Sequence, residues 1–207
     1  MIIKRYTLGM CQTNCYLVYD EITKECAIID PGCASAQLDT EIDTNNLNVK
    51  HIIFTHGHFD HIGGLEYYVS KYNNAVSSMH KCDVEAVLSE CDVFYVDIEN
   101  KEQVVKSLTL HNDKDVFCIG NIKLQVLHTP GHTNGGVCVY SDGVLFSGDT
   151  LFQRSIGRTD FIYGDFGVLE KSIKKLYELP DDTVVYPGHG DCTTISEEKT
   201  GNPFVRV

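Results

Sequence analysis

The heptapeptide THGHFDH, residues 55–61, places three histidines and one aspartate within six residues. It follows HIIF, residues 51–54, a largely apolar run that predicts a buried strand. Histidine is the commonest neutral metal ligand, and aspartate supplies a hard oxygen. Four such groups so close together need burial or a compensating charge. The pattern therefore predicts a metal site on a loop at the end of a strand.

Three further candidate ligands follow at wide spacing, and each comes directly after an apolar run and beside a glycine. They are His132 in TPGHT (residues 129–133), Asp149 in SGDT (residues 147–150) and His189 in YPGHG (residues 186–190). Glycine lets the backbone approach an ion closely, and loops at one edge of a sheet are where sites are usually built. We therefore expect these side chains to lie beside those of residues 55–61.

The full candidate set holds five histidines and two aspartates: His56, His58, Asp60, His61, His132, Asp149 and His189. These seven ligands are too many for one tetrahedral zinc ion and enough for two metal ions that share a carboxylate. A structural site in a binding module is usually closed and four-coordinate, so the set favours an open site. We interpret the other histidines as structural: His51, His80, His111 and His128. Of these, His128 could at most contact a ligand without binding the metal itself.

The composition is that of a soluble protein with an acidic surface. The 207 residues are 43% hydrophobic and 22% charged, and we predict a single domain that spans residues 1–207. A formal net charge of -12 disfavours nucleic acid and anionic membranes as partners. The chain shows no long apolar run and no signal-peptide pattern, and its nine cysteines fit reduced thiols, so we expect a cytoplasmic location.

The predicted elements form two similar series. The first has strands over residues 2–8, 15–19, 26–30, 49–55 and 75–79 and helices over residues 34–46, 63–72 and 83–89. The second has strands over residues 122–128, 136–140, 144–147 and 183–186 and a helix over residues 166–179. Residues 91–115 are charged and weakly periodic, which predicts a surface excursion. The order favours an α+β fold of two face-to-face sheets with helices outside.

The block HGHFDH (residues 56–61) and the later histidines and aspartate, in this order, resemble the metallo-β-lactamase superfamily over nearly the whole chain. The resemblance implies a four-layer αββα sandwich with a two-metal site at one edge. It implies a first metal ion bound by His56, His58 and His132, a second bound by Asp60, His61 and His189, and Asp149 between them. We expect two divalent ions, zinc by preference, with iron and manganese still open because histidine and carboxylate suit all three.

Within the superfamily the chain looks most like the glyoxalase II group, the hydroxyacylglutathione hydrolases. The segments TPGHT (129–133), GDTLF (148–152), GRTDF (157–161) and NPF (202–204) carry this likeness, which is strongest to the short bacterial type. Only eighteen residues follow His189, so we expect the helical region that grips glutathione in the longer enzymes to be absent. The carrier thiol therefore stays open.

The resemblance implies hydrolysis of a small acyl-thiol substrate by a metal-bound hydroxide. A water that bridges two cations has its pKa lowered toward neutrality and can attack the carbonyl carbon, while a metal ion stabilises the oxyanion. Asp60 and Asp149 are the candidate catalytic residues because they could orient this water. No GxSxG elbow is present, and no serine or cysteine nucleophile is required.

Three questions remain open at this point: the reaction, the role of one loop and the place of two aromatic residues. Persulfide dioxygenases of the same superfamily also resemble the chain, including the segment GRTDF, and they hold a single iron with two histidines and one aspartate. In that segment, Arg158 and Asp160 fit an internal ion pair that holds the loop, or a loop that lines the mouth of the pocket. Phe152 and Tyr163 fit either the substrate border or the core.

Overall fold

The computed structural model describes residues 1–90 and 101–206. Before residue 91 the strands are β1 (Ile2–Leu8), β2 (Thr13–Tyr19), β3 (Glu25–Ile29), β4 (Asn48–Ile53) and β5 (Val76–His80), and the helices are α1 (Ala36–Thr44), α2 (Phe59–Ile62), α3 (Leu65–Lys71) and α4 (Lys81–Glu90). After residue 100 the helices are α5 (Lys101–Lys106), α6 (Phe166–Leu176) and α7 (Ile195–Gly201). The strands there are β6 (Thr109–His111), β7 (Val116–Ile119), β8 (Ile122–His128), β9 (Val137–Ser141), β10 (Val144–Gly148), β11 (Leu151–Phe152), β12 (Ser155–Ile156), β13 (Val184–Pro187) and β14 (Thr193–Thr194).

Two mixed sheets of six strands form the framework. The first has the order β1-β2-β3-β4-β5-β6, antiparallel from β1 to β3 and parallel from β3 to β6. The second has the order β14-β13-β10-β9-β8-β7, and there only β10 and β13 pair in parallel. Strands β11 and β12 form a separate two-stranded ribbon. Sequence neighbours such as β1 and β2, or β7 and β8, pair antiparallel because short turns connect them.

Three hydrophobic cores divide the molecule into four layers. In β3, Cys26 and Ile28 face the helices of the first half, whereas Ala27 and Ile29 face the second sheet. Because side chains alternate across a strand, one apolar run supplies both cores. The helices α1, α3, α4 and α5 cover the first sheet, and α6 and α7 cover the second. The predicted αββα sandwich is confirmed.

The helices that cover the second sheet begin at clear capping residues. Asp165 accepts a hydrogen bond from the backbone N–H of Val168 (2.9 Å) at the start of α6. Thr194 and Glu197 form a reciprocal capping box at the start of α7. Such caps satisfy backbone groups that a helix end would leave unpaired, typically contributing about 1 kcal/mol each. The caps define where the two helices begin. Both helices pack on the sheet that carries half of the site described below.

The loops that follow β4, β8, β10 and β13 meet at one edge of the sandwich. Parallel pairing of β10 with β13 brings the ends of these two strands to the same place, and Gly188 donates a backbone hydrogen bond to Gly148 (2.8 Å). Across the two sheets, the backbone N–H of Val137 donates to the carbonyl of Thr55 (2.9 Å). The candidate ligands therefore converge from both sheets.

The interpretation of residues 91–115 as a surface excursion is wrong for its second part, while residues 91–100 lie outside the described residues. Helix α5 and strand β6 lie in this stretch, and β6 pairs with β5 as the edge of the first sheet. Val105, Leu108 and His111 are buried. Elements this short bury only one or two side chains each, so they leave no periodicity to detect.

The predicted helix over residues 63–72 also differs from the structure. Helix α2 begins earlier, within the histidine-rich block, and a break at Gly63 and Gly64 separates it from α3. A Cβ atom at Gly63 would lie 2.3 Å from the carbonyl oxygen of Gly32, so the backbones can approach here only without side chains. This close approach places the break between α2 and α3 against the segment that follows β3.

Candidate metal centre

The structure brings all seven sequence-predicted ligands together. Three groups have ligand atoms within 4.8 Å of one another: His56, His58 and His132; His56, His61 and Asp149; and Asp60, His61 and His189. The first and third groups share no member, and the second contributes Asp149. This division matches the one that the resemblance implies, and the role of each side chain as a ligand stays a prediction.

Hydrogen bonds fix which nitrogen of each imidazole faces the centre of the first group. His132 Nδ1 donates to the carbonyl oxygen of Arg158 (2.7 Å), so its Nε2 carries a lone pair. The hydroxyl of Thr55 donates to Asp30 (2.6 Å), which leaves His56 Nδ1 as the donor to Thr55 (3.1 Å). His56 Nε2 therefore also carries a lone pair.

These two lone pairs point at the same atom. His58 Nδ1 lies 3.1 Å from His56 Nε2 and 2.9 Å from His132 Nε2. A proton on His58 Nδ1 could be donated to one of these two nitrogens, and the lone pair of the other would then face His58 without a proton to accept. A cation among the three nitrogens removes this conflict, so the donor set fits a metal ion.

The other group is built around His61. Its Nδ1 donates to Asp30 (2.9 Å), and its Nε2 faces His189 Nε2 (3.4 Å) and Asp60 Oδ2 (3.6 Å). His61 Nε2 lies 3.2 Å from Asp149 Oδ1 without the alignment of a hydrogen bond, so this buried carboxylate oxygen accepts no hydrogen bond among the described residues. A buried carboxylate oxygen without a hydrogen bond is costly, and a divalent cation would satisfy it.

Electrostatics in the centre favour neutral imidazoles on one side and anionic carboxylates on the other. Burial and the adjacent imidazoles hold the pKa of His56 well below its usual value, and burial lowers that of His58 to about 4. Burial raises the pKa of Asp149, but the neighbouring histidines, His61 first, outweigh it and lower the pKa. Neutral imidazole and ionised carboxylate are the forms that bind metal ions.

Burial alone would lower the pKa of His61, but Asp149 and Asp30 hold it well above the usual value. Without a cation, the proton on His61 is thus the positive charge that these carboxylates attract. A metal ion in the same place would replace that proton, because both compete for Nε2.

Asp30 and Thr13 support the centre and were missed by the sequence reasoning. The carboxylate of Asp30 accepts hydrogen bonds from the backbone N–H of Thr55 (2.7 Å), its hydroxyl and His61. Thr13 donates its hydroxyl to Asp60 Oδ2 (2.7 Å). The sequence did contain a signal for Asp30. This residue also follows an apolar strand, and a glycine lies close to it, as one does in the motifs of the later candidate ligands.

Asp83, at the start of α4, joins the two loops that carry the first group. Its buried carboxylate accepts hydrogen bonds from the backbone N–H of Gly57 (2.9 Å), the hydroxyl of Thr133 (2.8 Å) and the backbone N–H of Gly135 (2.5 Å). Burial raises the pKa of Asp83, and these hydrogen bonds oppose that rise. We call Asp83 with its three donors the loop latch. It holds the loops of His58 and His132 in a fixed position relative to each other.

Gly188 allows the loop after β13 to enter the centre. A Cβ atom there would lie 2.2 Å from Asp149 Oδ1 and 2.7 Å from the ring of His61. The loop therefore passes so close to the candidate ligands that only glycine fits at this position of PGHG.

An open cleft of about 390 Å³ leads to the two groups. Its lining residues are Cys11, His58, Phe59, Asp60, His132, Asp149, Phe152, Arg158, Phe161 and His189. The volume lies in the range of small-molecule sites. The prediction of an open site agrees with this cleft, and Phe152 borders it, whereas Tyr163 is an exposed residue outside its lining.

Both interpretations of the Arg158 loop have support. Arg158 forms a bidentate pair with Asp160 (2.9 and 2.8 Å), and its guanidinium also lies over the ring of Phe161 at 4.2 Å. Arg158 lines the cleft as well. The pair is about two-thirds exposed, so it is a surface pair at the rim of the cleft.

The histidines outside the candidate set lie away from both groups. His80 and His128 stack with their ring centroids 4.2 Å apart, and His111 lies 6.2 Å from His80. His128 bonds to the carbonyl of Asn134 (3.0 Å), two residues after His132. Their interpretation as structural agrees with these positions.

Comparison with known proteins identifies the family. A family model described as the metallo-beta-lactamase superfamily matches residues 8–189. The chain belongs to this superfamily. Hydroxyacylglutathione hydrolase GloC of Haemophilus influenzae, a relative, is 35% identical over 200 residues that cover 94% of this chain and 93% of GloC.

Three solved structures share the fold. BLEG-1 B3 metallo-beta-lactamase superposes with a TM-score of 0.85 at 35% identity, covering 99% of each chain. TTHA1623 in a di-iron-bound form gives 0.80 at 33% identity, covering 98% of this chain and 100% of the other. ETHE1 from Myxococcus xanthus gives 0.76 at 29% identity, covering 98% and 84%. The predicted family and fold are confirmed, and a His/Asp metal-binding cluster accompanies them.

In the part of the chain that the structure describes, no helix has the length and apolar character needed to cross a membrane.

Proposed function

We propose that this chain is a metal-dependent hydrolase that holds two divalent ions and cleaves small acyl thioesters. The position of Asp149 carries the proposal. Its Oδ2 lies 3.6 Å from His132 Nε2 in the first group and 3.6 Å from His189 Nε2 in the third. One carboxylate oxygen midway between two nitrogen-rich groups is the arrangement that a pair of metal ions needs.

The first ion would be held by His56, His58 and His132, the second by Asp60, His61 and His189, and Asp149 would contribute to both. When bound, the ions would polarise the substrate carbonyl and lower the pKa of the attacking water. We propose zinc, which the imidazole-rich set suits, and the di-iron form of the neighbour TTHA1623 supports iron as the competing choice.

The protein's own groups orient the reactants. Asp60 and Asp149 line the cleft, and we assign both the role of accepting hydrogen bonds from the attacking water. Thr13 holds Asp60 Oδ2, so this carboxylate keeps a fixed direction. In the reaction, the water loses a proton as its oxygen bonds to the carbonyl carbon, the carbon–sulfur bond breaks with its electron pair going to sulfur, and the thiolate takes up that proton.

The relative GloC supports the thioester as the bond cleaved. Its name describes hydrolysis of hydroxyacylglutathione, and it matches this chain over nearly the full length of both proteins. No residue at the described centre is placed as a covalent nucleophile, because the cleft lining holds no serine and Cys11 is its one thiol. Burial raises the pKa of Cys11, which leaves it a poor thiolate.

A persulfide dioxygenase is the second candidate function. The neighbour ETHE1, a persulfide dioxygenase, shares the fold at 29% identity. Such an enzyme would use the His56 side of the centre with one iron and would consume oxygen as it oxidises the persulfide sulfur. The complete third group, Asp60, His61 and His189, favours the hydrolase.

Metal analysis of the purified protein, run beside a thioester assay with S-lactoylglutathione and an oxygen-uptake assay with glutathione persulfide, tests the proposal. We expect close to two metal ions per chain and thioester hydrolysis. We also expect Asp149→Ala to abolish turnover and to lower the metal content, while the exposed control Asp181→Ala keeps both. One iron per chain with oxygen uptake would support the dioxygenase, and full hydrolysis by metal-replete Asp149→Ala would refute the shared-carboxylate assignment.

A further inference from the structure

Aromatic side chains flank both metal-ligand groups inside the cleft. The ring of Phe161 lies 5.5 Å from that of His58 with an edge-on geometry, and the ring of Phe152 lies 6.1 Å from that of His189. Phe59 adds a third aromatic wall. A group attached to a carbonyl at the centre would thus meet apolar surface on either side.

The wall of Phe161 continues outward in the turn that follows. Ile162 is 71% exposed and Tyr163 46% exposed, and the backbone N–H of Gly164 closes the turn on the carbonyl of Phe161 (2.9 Å). Tyr163 has a φ of 76°, a conformation that is unfavourable for a bulky residue. The strained turn keeps two large apolar side chains on the surface directly after Phe161, outside the residues that line the cleft.

Arg158, the one cation among the residues that line the cleft, is already neutralised by Asp160. Residues 91–100, which the structure does not describe, contain no lysine or arginine in their sequence. A substrate carboxylate could bind Arg158 only by displacing Asp160 and then lying beside it. Exchange of one carboxylate for another at an exposed position gains little, and the like charge of Asp160 opposes it.

We propose that the cleft selects thioesters in which the group beside the reacting bond is uncharged and apolar, and that the Asp160–Arg158 pair disfavours anionic carriers. This inference rests on the proposed thioester hydrolysis and names its substrate class. The apolar group can lie on the acyl side, toward one aromatic wall, or on the thiol side, toward the other.

A small set of thioesters tests the selectivity and distinguishes the two sides. Acetyl and phenylacetyl thioesters of N-acetylcysteamine vary the acyl side on a neutral carrier, and S-acetyl phenylmethanethiol places the ring on the thiol side. Each kcat/KM is divided by the alkaline hydrolysis rate of the same compound, which removes intrinsic reactivity. Burial of one ring predicts a preference of about 10- to 100-fold for at least one aromatic compound over the acetyl reference.

Variants of the walls link the preference to the cleft. We expect Phe161→Ala or Phe152→Ala to bring the ratio of aromatic to acetyl substrates close to one, whereas Phe204→Ala keeps it. Phe204 is 53% exposed and does not line the cleft. Metal content and unfolding temperature are measured for each variant to show that the chain is folded. A preference that survives both wall substitutions would overturn the assignment.

Asp160→Asn tests the anion part. The same acyl group is compared on glutathione, which carries two carboxylates and one ammonium group, and on N-acetylcysteamine. Release of Arg158 should raise the glutathione to N-acetylcysteamine ratio about tenfold, whereas Asp181→Asn, which removes one exposed negative charge elsewhere, should not change it. Equal ratios in all three proteins, or no aromatic preference with hydrolysis intact, would overturn the inference. No hydrolysis of any thioester would contradict the proposed function and this inference with it.

Discussion

Removal of the loop latch should destabilise the centre, because Asp83 is buried at the start of α4 and accepts three hydrogen bonds from two loops. Asp83→Ala leaves two buried backbone N–H groups and one hydroxyl without an acceptor. Each unpaired buried donor costs about 1–3 kcal/mol. Water that enters the space of the lost carboxylate recovers part of this, so we expect a loss of about 3–5 kcal/mol. For a chain of this size the unfolding temperature should fall by roughly 10 °C or more.

The latch should also affect metal binding, since the loops of His58 and His132 share no other carboxylate acceptor among the described residues. We expect metal affinity to fall about 10- to 100-fold, the usual effect of losing a partner behind the ligands. Differential scanning calorimetry gives the stability, and competition with a chromophoric chelator gives the affinity. Asp115→Ala is the matched control, because Asp115 accepts one backbone hydrogen bond at an exposed turn.

Asp83→Asn removes the charge and keeps part of the hydrogen bonding. The amide oxygen can still accept hydrogen bonds, whereas the amide NH2 group replaces the other acceptor and faces a donor. We expect a stability between those of wild type and Asp83→Ala. If Asp83→Ala unfolds within about 1 °C of the Asp115→Ala control and binds metal equally well, the role assigned to the latch is wrong.

Three further predictions concern the support of the centre and the buried histidines. Asp30→Asn removes the charged acceptor of His61 Nδ1 and should lower metal affinity about 10- to 100-fold by chelator competition, and unchanged affinity would contradict that role. Dialysis against a chelator should lower the unfolding temperature and added metal should restore it, since an ion that binds only the folded chain stabilises it; a temperature that does not respond argues against the site. Burial lowers the pKa of His111 to about 4 from the 6.5 of an exposed histidine, so only the unfolded chain takes up this proton as the pH falls through that window. Denaturant titrations at about pH 7.5 and about pH 5 should show wild type losing about 2 kcal/mol more than His111→Gln, and equal losses would refute the assignment.

The convergence of the seven candidate ligands could be predicted from the sequence because their signal is local. Within residues 55–61 the spacing of donors is visible directly, and His132, Asp149 and His189 each follow an apolar strand with a glycine beside them. The structure brings these side chains together because strand ends of the two sheets meet at one edge. The two-sheet fold was predictable for the same reason, since alternating apolar runs of strand length are also local.

Asp83 could not be found in this way. Its partners Gly57 and Gly135 lie 26 and 52 residues away in the sequence, and the residues around it resemble the start of an ordinary helix. Strand β6 escaped detection because a three-residue strand has no measurable alternation. The Arg158–Asp160 pair was one of the two sequence interpretations of its loop, but its position at the rim of the cleft came only from the structure.

Each metal-ligand group takes its members from both sheets of the sandwich. His56 and His58 follow β4 of the first sheet and meet His132 from the second, while Asp60 and His61 meet His189. Neither half of the chain can therefore complete a metal site before the other has docked against it. On the proposed assignment, the ions can bind only at the end of folding, after the two halves have docked. A chain whose halves are mispaired would stay metal-free and inactive, without exposing a partly assembled reactive centre.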